Sequence, residues 1–330
     1  VAPTRHRLGK GKQVANWHDI LNEITQTQQH HAQSANSAID TVRRKYLKQL
    51  ADLTGRNVIA YYSGWLSKGA VEGIDITDED INSFMSCING MDRSKGLDLI
   101  LHTPGGGIAA TEAIVQYLRA MFGKDIRAIV PQIAMSAGTM VALSCRSILM
   151  GRPSSLGPID PQLGGIPADV VLTEFERAYQ EIKADPVKAH VWAPVLSRYT
   201  PSFLTQCEYA TSWSKTFVKD MLTTNMFEGA PDADAKASAI VNSLSSASIN
   251  KAHNKHIHLE SLTNMGIIVE RLEDNQKLQD AVLTVHHAYM HTLSGSSALK
   301  ITENDDGRAV VKHLAQQAMP MSFTLGGPSQ

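Results

Sequence analysis

The sequence predicts an α/β fold on a largely parallel sheet, with a helical arm at the N-terminus and helices at the C-terminus. Two observations carry that expectation. Short β-rich or apolar runs, NVIAYYSGW (57–65), LDLILHT (97–103), DIRAIV (125–130) and SILM (147–150), alternate with segments of helical spacing. Such runs, closed by turn residues, suit strands covered on both faces. The strand–helix–strand order then requires right-handed crossovers and parallel neighbours. The chain has 330 residues, 43% of them apolar and 19% charged, an ordinary globular balance with enough length for a substantial core.

The elements follow in order. Residues 14–54 hold no proline or glycine and space their apolar positions loosely (Trp17, Leu21, Ile24, Ile39, Val42, Tyr46, Leu50, Leu53). One long helix or two is expected, closed by Gly55 as a C-cap. The polar middle, QTQQHHAQS, buries little alone, so this arm needs the main domain or a neighbouring subunit. After the first strand, Thr77 and Asp80 resemble a capping box before Ile81, Phe84, Met85 and Ile88, which share a helical face. A helix is expected over 109–122, ending at Gly123, and another from Ser136 to about Cys145. Residues 167–225 read as helical with loops at Pro186, Pro194 and Pro201. Residues 230–245 read as a linker or weak helix, 259–293 as helical, and the tail PMSFTLGGPSQ as loose. The expected division is an arm over 1–55, a core over 56–225, and a helical C-terminal region with a loose tail over 226–330.

Composition excludes several function classes. The formal net charge of −1 offers nothing to nucleic acid or an anionic membrane. Cys87, Cys145 and Cys207 lie far apart with no CxxC pair, so neither a disulfide framework nor a cysteine-rich zinc site is expected, and a reducing compartment suits the chain. No stretch reaches the roughly 18 apolar residues of a spanning helix, and the basic start is not followed by an apolar leader core. The chain reads as cytoplasmic, with no stable membrane insertion.

Two turns carry candidate chemistry. In LHTPGGG (101–107) a strand stops at a proline and three glycines just before a helix. Glycines there allow positive φ and can turn N–H groups toward a negative oxygen. The glycines are contiguous, which is neither the dinucleotide fingerprint nor a phosphate-binding GK[ST] loop. In PQIAMSAGTM (131–140) a single serine, Ser136, opens a helix after a strand. Alone, the first turn is a plain strand-to-helix turn and Ser136 an ordinary N-cap. Together, on neighbouring β-α units, they offer oxyanion donors and a nucleophile at one sheet edge. The small residues Ala134, Ala137 and Gly138 are expected to let a substrate backbone approach.

TPGGG, then AMSAG thirty residues later, then RPSSLGPIDPQLGG, resembles the Clp-protease/crotonase superfamily, and within it the serine dehydrogenase proteinase family, close to signal peptide peptidase A. The resemblance covers about residues 56–225, and more weakly the helical region to about 275, and implies a ββα superhelix. It implies a serine peptidase with Ser136 as nucleophile and an oxyanion hole from the Gly106 and Ala137 N–H groups. Gly105 and Gly107 are the candidate substrate-binding positions. It further implies a peptide or protein substrate and a homo-oligomeric ring, with no cofactor and no nucleic-acid partner.

The general base departs from the pattern. Clp proteases carry a histidine about 25 residues after the serine, and the matching position here is Asp160. A lone aspartate is a poor base for a serine at neutral pH, but it can orient another base. Signal peptide peptidases use a lysine further on, which nominates Lys183, Lys188 and His190 in EIKADPVKAHVW. A buried lysine of lowered pKa serves such a role, and His190 has the better intrinsic pKa. Histidines recur at His253, His256, His258, His286, His287 and His291. His287 and His291 are four apart, as helical metal ligands are, but no third ligand is evident and no metal is expected. The resemblance implies that His256 lines the cleft. Two other readings stay open: a crotonase-type acyl-CoA hydratase or thioesterase, and a non-catalytic relative that binds peptides or serves as a scaffold.

Overall fold

The computed structural model describes residues 16–30 and 38–314. Twelve strands form among the described residues: β1 (Asn57–Ser63), β2 (Leu97–His102), β3 (Ile126–Val130), β4 (Ile133–Ala134), β5 (Ser147–Met150), β6 (Ser155–Leu156), β7 (Gln162–Leu163), β8 (Ile166–Pro167), β9 (Ile257–His258), β10 (Val269–Arg271), β11 (Ala298–Asn304) and β12 (Ala309–His313). The helices are α1 (Trp17–His30), α2 (Ala38–Thr54), α3 (Trp65–Lys68), α4 (Asp80–Ile88), α5 (Ile108–Phe122), α6 (Ala137–Leu143), α7 (Ala168–Ala184), α8 (Ala189–Leu196), α9 (Phe203–Met221), α10 (Ala233–Ser245), α11 (Ala247–Asn250), α12 (Leu259–Asn264) and α13 (Gln276–Gly295). The main sheet has seven strands in the order β10-β5-β3-β2-β1-β11-β12. Its first five strands are parallel, with Asn57 beside Leu97, Leu97 beside Ile126, Arg127 beside Ser147 and Val269 beside Ile148. β11 and β12 add antiparallel edges, Tyr62 facing Ile301.

The period-2 alternation of β1 divides the core. Ile59 and Tyr61 join Leu99, Leu101, Ala128 and Val130 under α5, α6 and α10. Val58, Ala60 and Tyr62 join Ile100, Ile129 and Leu149 under Leu47 and Leu50 of α2 and Val285 and Tyr289 of α13. Both faces are covered, which is why the strands read as continuous apolar runs. α1 closes over the second layer through Ile20 and Ile24, packed with Val42 and Ala288.

Several expectations change. The arm is part of the second layer: buried Arg43 of α2 is ion-paired with buried Glu303 of β11, which also accepts the Tyr289 hydroxyl at 2.8 Å. Gly55 caps α2 as expected, with φ 68° and its N–H on Ala51 O. The region expected to be helical over 226–330 contains β10, β11 and β12, so the main sheet crosses the expected boundary at 225. β11 (ALKITEN) escaped notice because Lys300 and Glu303 resemble surface charges, whereas both are buried against partners distant in sequence. Residues 233–245 form a firm helix whose Ala237, Ile240, Val241 and Leu244 are buried. The expected loose tail lies outside the described residues. α7 and the first half of α9 pack on a small cluster of their own around Ala168, Val171 and Cys207, while Phe217 and Val218 of α9 join the main core; α8 buries none of its side chains. Among the described residues no helix is long and apolar enough to cross a membrane.

Candidate active site

The site is built where β2 and β3 end. β2 leads through Thr103 and Pro104 into the glycines that start α5, while β3 leads through β4 and Met135 to Ser136 and α6. Two backbone hydrogen bonds tie the turns together: Thr103 N–H to Ile133 O at 3.3 Å and Met135 N–H to Thr103 O at 3.0 Å. The approach is close enough to require glycine. A Cβ on Gly105 would stand 2.7 Å from Ser136 Cβ and 2.9 Å from Ala137 N, and its φ of 105° is one that L side chains rarely adopt.

Gly106 has φ 155° and lies against Ile76, with Ile76 N–H donating to Gly105 O (2.7 Å) and Gly107 N–H to Ile76 O (3.0 Å). Both flanking bonds point toward Ile76. The peptide between Gly105 and Gly106 is trans, so the Gly106 N–H points opposite to Gly105 O and away from Ile76. That N–H has no acceptor among the described residues. Ala137, the first residue of α6, likewise has an N–H with no intrahelical acceptor.

Ser136 has φ 50° and ψ −117°, a strained conformation for a residue with a side chain. Such backbone costs about 1–3 kcal/mol and persists only where its surroundings impose it. The ordinary N-cap reading fails: the Ser136 hydroxyl makes no capping bond and has no partner among the described residues. It is partly exposed, while Ala134, Ala137 and Gly138 beside it are buried. A Cβ on Gly138 would stand 2.5 Å from the Thr103 methyl, so its lack of a side chain serves the joining of the two turns.

The segment around Ile76 is held firmly. Asp80 Oδ2 accepts from Lys300 Nζ (2.7 Å), Tyr61 OH (3.0 Å) and Thr77 N–H (2.9 Å), and Lys300 Nζ also donates to Asp75 O (2.7 Å). The expected capping box is thus half formed, since Thr77 Oγ1 is buried without a partner. His102, at the end of β2, spans Ser63 O and the Gln132 side-chain amide at 3.2 Å each. Burial pushes its pKa down to about 4, so the ring is neutral at pH 7. A cavity of about 560 Å³ opens beside the glycine turn, lined by Trp65, Val71, Ile74, Asp75 and Pro104.

The expected base residues are distributed unevenly. Asp160 is buried, and its Oδ1 receives His253 Nδ1 at 2.9 Å while Oδ2 accepts from Gln162 Nε2 at 3.1 Å. Lys188 and His190 are exposed on the turn before α8 and on α8 itself, and Lys188 Nζ is committed to Glu181 at 3.4 Å. Lys183 is exposed as well, its Nζ over the Tyr179 ring. None of the three is the buried lysine or poised histidine expected: Lys183 lies exposed at the end of α7, and α8 with the turn before it buries none of its side chains. The Asp160–His253 contact was missed in the sequence, where 93 residues separate the partners. Near it, His256 Nδ1 lies 2.7 Å from Ser155 Oγ. His286 faces the Tyr62 hydroxyl at 3.2 Å and His291 Nε2 the Trp17 carbonyl at 3.0 Å. Among the described residues no group of three or more histidine, cysteine or acidic side chains is placed to hold a metal ion.

Known proteins share parts of this chain. It is 36% identical over 143 residues to the uncharacterized protein MJ0137 of Methanocaldococcus jannaschii, covering 42% of this chain and 49% of the relative. It is 36% identical over 107 residues to the uncharacterized protein MJ1495 of the same organism, covering 32% and 36%. The chain thus spans half or less of the length of these curated relatives. Two solved structures of the 1510-N membrane-bound stomatin-specific protease overlap it at TM-scores of 0.37 and 0.36. One is an alanine variant, and the other is a variant in complex with a substrate peptide. Their identities are 17% and 18%, with 62% and 59% of this chain and 78% and 71% of theirs covered. Residues 30–193, which hold both turns, match a family described as ClpP-like SDH-type serine proteinase. Through that segment the chain belongs to the ClpP-like SDH-type serine proteinase family.

Proposed function

We propose that the protein is a serine endopeptidase that hydrolyses peptide bonds through an acyl-enzyme on Ser136. One observation carries the reading: a serine held at φ 50° with an uncommitted hydroxyl, pressed against a glycine turn. A strained strand-to-helix turn that exposes a serine Oγ is the arrangement of a nucleophile, and a structural serine would not need it. Ser136 Oγ attacks the scissile carbonyl, and the Gly106 and Ala137 N–H groups receive the oxyanion. Donors fixed beforehand favour the charge that develops in the transition state. The backbone at Gly105 and Gly107 lies alongside the substrate, and a substrate side chain enters the cavity beside Pro104. The crotonase reading would leave the Ser136 hydroxyl without a task.

The finer assignments form part of the same proposal. The substrate is a peptide or protein, and the three free buried cysteines suit the cytoplasm. The chain assembles as a closed homo-oligomer of six or more copies. Support for assembly is the apolar surface of α8 and the turn before it, where Val187 and Val191 are 70% and 68% exposed. The proposal is tested with a fluorophosphonate probe and a fluorogenic peptide library. The wild-type protein is expected to react with the probe and cleave peptides, and the Ser136→Ala protein to do neither. Cleavage by purified Ser136→Ala would refute the nucleophile.

A further inference from the structure

The cavity beside the glycine turn has walls of two kinds. It lies where β1 leads through α3 into the segment that carries Ile76, and Trp65, Val71, Glu72, Ile74, Asp75 and Pro104 line it. Two links fix it to the candidate active site. Pro104 precedes Gly105, where a Cβ would stand 2.7 Å from Ser136 Cβ. Asp75 precedes Ile76, which pairs with Gly106 and donates its N–H to Gly105 O at 2.7 Å. Ile74 and Ile76 on either side are buried, whereas Asp75 is exposed. A peptide laid along the glycine turn to reach Ser136 passes the opening of this cavity.

The charges on these walls are unbalanced. Asp75 accepts from Lys300 through its backbone carbonyl; its carboxylate, like that of Glu72, has no hydrogen bond or salt bridge among the described residues. The lysines nearby are committed. Lys68 Nζ donates to Ser296 O at 2.6 Å, Lys300 Nζ to Asp80 Oδ2 and Asp75 O at 2.7 Å each, and Lys312 Nζ to Glu79 Oε2 at 2.7 Å. His102, whose ring centroid lies 4.4 Å from that of Trp65, is neutral at pH 7 and adds no positive charge. Partial burial raises the Asp75 pKa against the pull of Lys300, so this carboxylate has lost water without gaining a hydrogen-bonded counter-ion. The remaining lining is apolar: Trp65, Val71, Ile74 and Pro104 can cover an aliphatic stem, and the Trp65 ring attracts a cation. An acidic side chain would meet two carboxylates here, and an aliphatic one would cover Asp75 and leave it unpaired. An apolar stem with a cationic head satisfies both kinds of wall.

We propose that this cavity is a subsite for a lysine or arginine side chain of the substrate, with Asp75 receiving the cationic head and Glu72 supporting it. The inference rests on the serine-peptidase reading and deepens it: the preferred substrates are peptides with a basic residue at one fixed position near the scissile bond. Asp75 acts on selection and not on the chemical step. Its carboxylate bonds the incoming side chain as the peptide settles against Ser136, and no covalent bond forms or breaks there. Arginine engages such a carboxylate through two parallel bonds, and lysine as a point charge.

The full chain is assayed in wild-type, Asp75→Asn, Asp75→Lys and Glu72→Gln forms. A positional-scanning library of fluorogenic peptides comes first, then matched peptides that differ only by Lys, Leu or Glu at the selected position. Circular dichroism checks the fold. The wild-type protein is expected to select Lys or Arg at one position of the library. Asp75→Asn should lower the ratio of kcat/KM for the Lys peptide to that for the Leu peptide by about 10-fold, chiefly through KM. Asp75→Lys should turn the preference toward the Glu peptide, and Glu72→Gln should lower the Lys-to-Leu ratio less than Asp75→Asn does. Should Asp75→Lys fail to fold, Asp75→Asn, an isosteric change at an exposed side chain, still reads the ratio. A wild-type protein that cleaves the library with no preference for a basic residue would overturn the subsite and leave the peptidase reading standing. So would a Lys-to-Leu ratio that does not move in Asp75→Asn. A wild-type protein that cleaves no peptide and does not react with fluorophosphonate would refute the peptidase reading itself, and the subsite with it.

Discussion

Ser136 separates stability from activity at a single residue. Its hydroxyl does not cap α6, so Ser136→Ala should unfold within about 0.5 kcal/mol of wild type, since no cap is lost. Ser136→Gly should be more stable by about 1 kcal/mol, because glycine accepts φ 50° without strain, and equally inactive. Urea titration of the three proteins tests this, and a markedly destabilised Ser136→Ala would show the hydroxyl to be structural. His102 gives a second prediction. Its pKa falls from 6.5 to about 4 on folding because the ring is buried, packed against Tyr62, Trp65 and His286. Between those values the unfolded chain binds a proton that the folded chain refuses. His102 therefore contributes stability that is fully present above pH 6.5 and lost as pH falls toward 4, about 3 kcal/mol in all. Burial shifts His286 in the same direction. The urea midpoint should drop between pH 7 and pH 4.5, and His102→Gln should flatten part of that fall. Ser136 was legible in the sequence because a lone hydroxyl among small apolar residues after a strand is rare company. The partnership of His253 with Asp160 was not, because nothing local marks two residues brought together by β6 and β9.

The glycine turn works only because the segment behind it is fixed. Ile76 holds Gly106 in place, and the Asp80–Lys300–Tyr61 group holds the segment that contains Ile76. Lys300→Met would leave the Asp80 carboxylate buried without its counter-ion, a loss of about 3–5 kcal/mol. The variant should melt well below wild type and show reduced kcat/KM even at temperatures where it is folded. An unchanged melting temperature would show that the group is not a clamp. Gly106→Ala should disturb the fold as well as the activity, since its Cβ would fall 2.3 Å from Ile76 N. The strands of the parallel sheet were legible because burial on both faces writes itself as apolar runs. β10, three residues long, and β11, which buries charges, carried no such signature. The family match ends at residue 193, so it bears on the two turns and not on His253, Lys300 or β11.

At the scale of the whole molecule, the first and last elements close the same layer. α2 and α13 cover one face of the sheet, and Leu47 and Leu50 are fully buried there. Deletion of residues 1–50 is therefore expected to abolish cooperative unfolding, a larger effect than weakened assembly. The apolar face available for assembly lies on α7–α9 and the turn before α8. Val187→Asp with Val191→Asp should lower the mass seen by light scattering without changing the fold, because both side chains are exposed in the single chain. A wild-type mass near 36 kDa at micromolar concentration would refute the oligomer. The central claim, that one strained serine is the nucleophile, is tested most directly by mapping the covalent adduct. The protein is treated with a fluorophosphonate, digested and sequenced by mass spectrometry. The account predicts a single modified residue, Ser136, in the peptide containing AMSAG, and no adduct in the Ser136→Ala protein. Peptide cleavage accompanied by an adduct on another residue, or by an unmodified Ser136, would contradict it.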